Sequence, residues 1–168
     1  NQQQENWTEI KKSRNLQILN EALTHTSANS SFNHERLEFL GDAVLRLAAS
    51  EFIDRKFPQM NVGERSILRA QLVSDRWLTK VGKFIEIHKI MNIGSSAAKD
   101  MSALGTLEAE STEALVGAIY ECLNSLEPIH TWLTPFWEDE TQEVLKNPNK
   151  HNSKSALQEW SQKKGLKI

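Results

Sequence analysis

The sequence predicts an all-α fold of about seven helices. Three observations carry that expectation. Apolar residues recur at helical spacing almost throughout. The seven glycines and four prolines fall mostly between the periodic segments. No stretch sustains the alternation of a half-buried strand, and no internal repeat is present. With 168 residues, 39% of them hydrophobic and 25% charged, the chain can bury one domain's core.

Taken in order, a short helix is expected over residues 7–12 and a second over about 16–23. Residues 24–33 (THTSANSSFN) are rich in Ser, Thr and Asn and read as a loop. A long helix is expected from about His34 to Arg55, stopping before Pro58. Asn61 or Val62 opens the next, which ends near Val73, and Ser74 or Asp75 caps another through about Glu86. Residues 88–105 read as irregular. A helix is expected over 107–123, and a further one carries Pro128 in its first turn and holds Trp132 and Trp137. Residues 147–153 (NPNKHNS) read as a linker. Ser153 caps a last helix, 154–164, which Gly165 ends.

Charge is uneven along the chain. Residues 149–168 hold five lysines against Glu159 alone, about +4. Against a total of −2, that leaves about −6 for residues 1–148. An acidic body with a basic tail suits a metal-using core joined to a nucleic-acid contact, and equally an acidic protein with a solvated end. Cys122 is the single cysteine, which excludes an intramolecular disulfide and a cysteine-based zinc cluster and suits a reducing cytoplasm. No apolar run reaches the roughly 18–20 residues of a membrane span, and no basic-then-apolar leader opens the chain. Asn1 rather than Met stands first, consistent with a trimmed start.

The chemistry points to two helices. On the long one, Leu37, Leu40, Val44, Leu47 and Ala48 form an apolar face. Glu35, Glu38 and Asp42 occupy another sector, with Leu45 and Ala49 beside them. Glu38 and Asp42 are four residues apart, so their carboxylates are neighbours, at a cost to an isolated helix of roughly 0.2–0.5 kcal/mol. Arg46 on a solvated face would offset that cost, and so would a divalent cation. On the later helix, Glu110 and Glu113 share a face with Ala114 and Gly117. A face that small lets another helix come close. If it meets the Glu38/Asp42 sector, four carboxylates converge, and they cannot all stay ionised and dry without a cation. Oxygen ligands of that kind suit Mg²⁺ or Mn²⁺, and such a cation activates water against a phosphodiester. The five histidines show no zinc spacing. No nucleophile elbow and no nucleotide-binding glycine pattern is present, so no nucleotide cofactor is expected. The five tryptophans read as core and packing residues.

Residues 34–45, HERLEFLGDAVL, are similar to the motif of the ribonuclease III family. Further matches follow in order. Residues 22–27 (ALTHTS) precede that motif as in the family, 63–74 (GERSILRAQLVS) resemble the next helix, and 113–120 (EALVGAIY) resemble the second acidic motif. Residues 154–168 resemble the opening helix of a double-stranded-RNA-binding domain. The implied organisation is a catalytic domain over 1–147, a linker over 148–153 and the truncated start of an RNA-binding domain over 154–168.

The resemblance implies roles position by position. Glu38 matches a metal-ligating glutamate, and Asp42 a catalytic aspartate. Glu113 matches an essential glutamate that is both catalytic and a metal ligand. Glu110 falls where the family has an aspartate ligand and is one methylene longer, and its neighbours Ser111 and Thr112 also differ from the usual small and aromatic pair. Glu35 and Glu64 match further acids near the cleavage site, and Phe39 an aromatic residue that packs into a partner subunit. The resemblance implies an all-α homodimer that uses Mg²⁺, or Mn²⁺, to cleave double-stranded RNA. Activated water would leave 5′-phosphate and 3′-hydroxyl ends. The implied setting is ribosomal and messenger RNA processing in the cytoplasm, with no membrane partner. The alternative is a catalytically silent version of the fold serving as a structural or RNA-binding subunit. A further, more distant option is another all-α metal-dependent phosphohydrolase.

Overall fold

The computed structural model describes residues 13–29, 31–95, 97–100 and 102–146, together with Gln4. The expected helices over 7–12 and 154–164, and the linker, lie outside the described residues. Within them are six α-helices: α1 (Ser13–Ala22), α2 (Glu35–Lys56), α3 (Val62–Leu72), α4 (Asp75–Phe84), α5 (Leu104–Leu123) and α6 (Glu127–Lys146). Two 3₁₀ turns, Ile87–Lys89 and Ala97–Lys99, join α4 to α5. No β-strand occurs among the described residues; a single parallel bridge pairs Thr24 with Asn92.

The ends follow local chemistry. Asn61 caps α3 by accepting from the Glu64 N–H at 3.0 Å, while the Glu64 carboxylate accepts from the Asn61 N–H at 2.8 Å, a complete capping box. The Ser74 hydroxyl accepts from the Trp77 N–H at the start of α4. Asn124 ends α5 in the left-handed conformation that asparagine tolerates. Helix α2 runs to Lys56, and Phe57 donates back to the Ile53 carbonyl before Pro58.

Three expectations need correction. Helix α5 begins at Leu104, so Gly105 lies inside it rather than in an irregular stretch; its carbonyl accepts from the Thr79 hydroxyl at 2.8 Å, a tertiary bond outside the local pattern. Helix α4 stops at Phe84, two residues early, because Glu86 turns into the left-handed region. On α2, Leu45 and Ala49 are fully buried and Leu47 is half exposed. A helix covered on several sides does not confine its apolar residues to one stripe.

Helix α2 packs most extensively on α5, α4 lies across α5, α1 leans on α5 and α2, and α6 closes over α3 and α2. The main core gathers Phe52, Ile53, Leu72, Trp77, Leu78, Ile129, Leu133 and Trp137. Trp77 and Trp137 stack at 5.9 Å, and the Trp137 indole donates to the Leu72 carbonyl at 3.0 Å, so both act as the packing residues expected. Pro135 sits within α6 and withholds one intrahelical donor.

Candidate active site

The crossing of α2 and α5 sets the site. It is a backbone-to-backbone contact. A methyl group on Gly41 would meet the Glu113 carbonyl oxygen at 2.0 Å, and one on Gly117 would meet the Leu37 carbonyl oxygen at 2.2 Å. Ala114 is fully buried beside them. The small face of α5 thus meets the acidic sector of α2 at Gly41, which stands between Glu38, one turn before it, and Asp42 next to it. Glu38 and Asp42 are brought to Glu110 and Glu113.

The electrostatics follow from that convergence. The Glu113 carboxyl is pushed up to about 7, first by burial and then by Asp42, Glu38 and Asp75, with Arg46 opposing. Glu38 is also raised, first by burial, with Glu110, Glu35 and Asp75 adding to the effect and His34 opposing it. Asp42 is gripped by Arg46, whose Nε donates to both carboxylate oxygens at 2.7 and 2.9 Å. The arginine therefore offsets part of the like-charge cost on α2 and leaves the Glu113 side crowded.

Two histidines border the acids. His34 is 3% exposed, and its Nε2 lies 3.2 Å from Glu38 Oε2 and 3.6 Å from Glu110 Oε2. Its Nδ1 donates to the Thr24 carbonyl at 3.3 Å. His25 stacks on His34 with ring centroids 5.2 Å apart, and its Nε2 is 3.8 Å from Glu110 Oε2. The Ser27 N–H donates to His25 Nδ1 at 3.1 Å, and the Gly94 N–H donates to Ser27 Oγ at 3.0 Å. Donor atoms of His25, His34 and Glu110 all fall within 4.8 Å of one another and could hold a metal ion. The longer side chain of Glu110 reaches these imidazoles.

The remaining candidates are more spread. Glu35 lies exposed at the first turn of α2 and adds to the field on Glu38 and His25. Glu64 serves the capping box of α3 and is not among the acids that act on Glu38 or Glu113. Phe39 stands 83% exposed on α2. Ser111 and Thr112 are buried against α4, where a methyl on Gly82 would meet the Thr112 hydroxyl at 2.7 Å.

Sequence reasoning missed His25, His34 and Asp75. Histidine spacing gave no signal, because the two imidazoles meet only through the loop between α1 and α2. The loop folds back when His25 N–H donates to the Asn92 carbonyl and His34 N–H to the Thr24 carbonyl, each at 2.9 Å. Asp75 was legible only as a candidate cap; it is the first residue of α4 and directs its charge at Glu38 and Glu113.

An all-helical domain whose two most extensively packed helices cross on glycines and bring carboxylate pairs together offers oxygen donors of the kind that suit a divalent cation. The comparisons with known proteins agree with that description and narrow it. Residues 15–123 match the family described as Ribonuclease-III-like. A Prochlorococcus marinus protein described as Ribonuclease 3 is 62% identical over 159 residues, which are 94% of this chain and 64% of that protein. A Synechocystis protein described as Ribonuclease 3 2 is 41% identical over 84% of this chain and 58% of its own length. A solved nuclease domain of ribonuclease III from Campylobacter jejuni superposes with a TM-score of 0.69 at 32% identity, covering 76% of this chain and 88% of that one. The chain belongs to the ribonuclease-III-like family, and it spans less than two thirds of the length of these two full-length relatives. No helix among the described residues is long and apolar enough to cross a membrane.

Proposed function

We propose that this chain is the catalytic domain of an endoribonuclease that cleaves double-stranded RNA with a divalent cation, Mg²⁺ or Mn²⁺. The observation that carries the reading is the glycine crossing of α2 and α5, which presses Glu38 and Asp42 against Glu110 and Glu113. The residues fit the cation on chemical grounds. The donor set is rich in carboxylate oxygen, and Glu113, raised first by burial and then by the charges of Asp42, Glu38 and Asp75, is a carboxyl whose ionised form a positive ion would favour.

Glu38, Glu110 and Glu113 would hold the cation. When bound, it supplies activation of water and neutralisation of the charge that develops on the scissile phosphate. The chain's own residues prepare the site. Arg46 Nε donates to both oxygens of Asp42, which fixes the orientation of that carboxylate beside Glu113. With its carboxyl pushed up to about 7, Glu113 keeps part of its proton near neutral pH without metal, so cation binding there would displace a proton. Glu35 extends the acidic sector as an accessory group, while Glu64 is engaged in the capping box of α3 and takes no part in the field on Glu38 or Glu113.

RNA duplex would be recognised through its A-form shape, phosphates and 2′-hydroxyls rather than its sequence, and cut to 5′-phosphate and 3′-hydroxyl ends. The C. jejuni neighbour's title concerns a region involved in dimer formation. Exposed Phe39 supports a homodimer here, with the aromatic ring packed into the partner. Residues 154–168 would open an RNA-binding domain after the linker, consistent with the extra length of the relatives. Processing of ribosomal and messenger RNA in the cytoplasm is the setting proposed.

The test is cleavage of a long RNA duplex at low salt, where phosphate contacts are strongest, with Mg²⁺, Mn²⁺ or EDTA. Short duplex products with either metal and none with EDTA are expected. Intact RNA in every arm, from folded protein carrying the full tail, would overturn the reading in favour of a silent structural subunit.

A further inference from the structure

His34 is placed unlike an ordinary buried histidine. Its ring is enclosed, and the Thr24 carbonyl engages Nδ1 at 3.3 Å. A carbonyl only accepts, so Nδ1 carries the proton. In the neutral ring Nε2 then holds a lone pair. That lone pair faces Glu38 Oε2 at 3.2 Å and Glu110 Oε2 at 3.6 Å, both acceptors as carboxylates. Donor atoms of His34 and Glu110, together with one of His25, lie within 4.8 Å of one another, a spacing that a metal ion could bridge, and Glu38 Oε2 lies 3.2 Å from His34 Nε2. A ligating histidine usually donates its other N–H to a backbone carbonyl or carboxylate, which fixes the tautomer, and the Thr24 contact has that form. In octahedral coordination with bonds of roughly 2.1 Å, neighbouring donors sit about 3 Å apart. The two separations from His34 Nε2, 3.2 Å to Glu38 and 3.6 Å to Glu110, lie near that value.

His25 differs from His34. Its Nδ1 accepts from the Ser27 N–H, and Ser27 Oγ itself accepts from Gly94, which leaves the Ser27 hydroxyl proton for the same nitrogen. The neutral ring therefore carries its proton on Nε2 and directs it at Glu110. His25 Nε2 stands 3.8 Å from Glu110 Oε2, whereas His34 Nε2 turns its lone pair toward both carboxylates at 3.2 and 3.6 Å.

We propose that His34 Nε2 is a direct ligand of the cation held by Glu38 and Glu110, so that the site selects a divalent transition metal over Mg²⁺. This rests on the metal-dependent reading above and specifies which ion it takes. An imidazole nitrogen adds most affinity for the later divalent metals such as Co²⁺ or Zn²⁺, less for Mn²⁺ and little for Mg²⁺, which prefers oxygen. Glu110 belongs to the same adaptation. A shorter aspartate would hold its carboxylate back from the imidazole, whereas glutamate reaches it.

The experiment is pulsed electron spin resonance of the 168-residue chain loaded with Mn²⁺, alongside calorimetric titrations with Mn²⁺ and with Mg²⁺. Direct ligation predicts ¹⁴N modulation of the Mn²⁺ echo. The modulation converts to a ¹⁵N pattern in protein labelled with [¹⁵N]histidine, a comparison that needs no substitution and no change in folding. It disappears in His34→Leu and persists in the His88→Gln control. The Mn²⁺ dissociation constant of His34→Leu rises about tenfold or more, while that of Mg²⁺ changes little. Mn²⁺ binding without nitrogen modulation overturns the proposal and leaves the carboxylate site standing, with His34 a protonated counter-ion instead. Modulation that survives in His34→Leu overturns it in favour of His25. Absence of any Mn²⁺ or Mg²⁺ binding removes the metal-dependent reading and this proposal together.

Discussion

Substituting Gly41 by alanine tests the geometry on which the site depends. The added methyl would lie 2.0 Å from the Glu113 carbonyl oxygen and 2.8 Å from its carbon, both backbone atoms held in the α5 ladder. Ordinary contact begins near 3.4 Å, so the helices must separate by more than 1 Å at their crossing. Overpacking of a fitted core typically costs about 1–3 kcal/mol and occasionally more, and a backbone-to-backbone clash belongs at the upper end. For a chain of this length each kcal/mol moves Tm by roughly 2–4 °C. About 3 kcal/mol is therefore a drop of roughly 6–12 °C, measured by circular dichroism at 222 nm and supported by urea titration. Gly105→Ala supplies the opposite sign. Its methyl would sit 3.6 Å from Thr79 in ordinary contact, inside a helix, where alanine exceeds glycine by roughly 0.5–1 kcal/mol. The variants should thus straddle the parent. A Gly41→Ala protein that melts at or above the parent would refute the close crossing, and with it the mechanism that brings the four acids together.

Glu113→Gln is expected to abolish RNA cleavage with fold and dimer intact; normal turnover would remove Glu113 from the site. The same variant carries a pH signature. Because the folded-state value of about 7 lies above the ordinary 4.5, Glu113 favours the folded state fully below 4.5, and that contribution is lost as pH rises through 7. Without metal, Glu113→Gln should therefore gain stability relative to the parent between pH 5 and 8, and a parallel pair of stability curves across that range would contradict the raised value. Phe39→Ala should weaken the dimer while leaving monomer stability nearly unchanged, since the ring is exposed within one protomer; sedimentation at low concentration showing an unchanged dimer would refute its interface role. Glu108 is 1% exposed, its Oε1 faces His88 Nδ1 at 3.3 Å, and its Oε2 has no hydrogen-bond partner. Glu108→Leu should raise stability by about 1 kcal/mol or more, since an unsatisfied buried polar atom costs roughly 1–3 kcal/mol; a lower Tm would show that the carboxyl is better satisfied than the structure indicates.

Much of the fold was legible because the helices carry their own signals. Asn61 and Ser74 announce α3 and α4 through capping chemistry that operates within four residues. The small face of α5 was also readable, because Ala114 and Gly117 recur at helical spacing with Glu110 and Glu113. The errors fall where distant groups decide. Gly105 is helical through a bond from Thr79, twenty-six residues earlier in sequence. Leu45 and Leu47 exchanged places because several helices cover α2, which a single apolar stripe does not describe. His25 and His34 became neighbours through a loop whose path depends on Asn92, and no local pattern encodes that contact.

The charge balance at the crossing links these levels. The glycines force the acids together through shape alone, and burial then raises the cost of every charge left uncompensated. Arg46 answers for Asp42 in a two-oxygen grip, and His25 directs a proton at Glu110. Glu38 and Glu113 remain, with Asp75 adding a further negative field from the start of α4. His34 answers Glu38 and Arg46 answers Glu113 only in part, and protonation of Glu113 removes only part of the excess. A crossing stabilised by apolar packing elsewhere can carry that residual repulsion in the free protein, and the same repulsion becomes affinity when a divalent ion enters. The fold's stability without metal and its avidity for metal should therefore move in opposite directions as acids are neutralised. Glu113→Gln, Glu38→Gln and Asp75→Asn should each stabilise the metal-free protein at pH 8. The first two should also weaken Mn²⁺ binding strongly, and Asp75→Asn only modestly, since it acts through its field. Stability and affinity falling together across that series would refute the account.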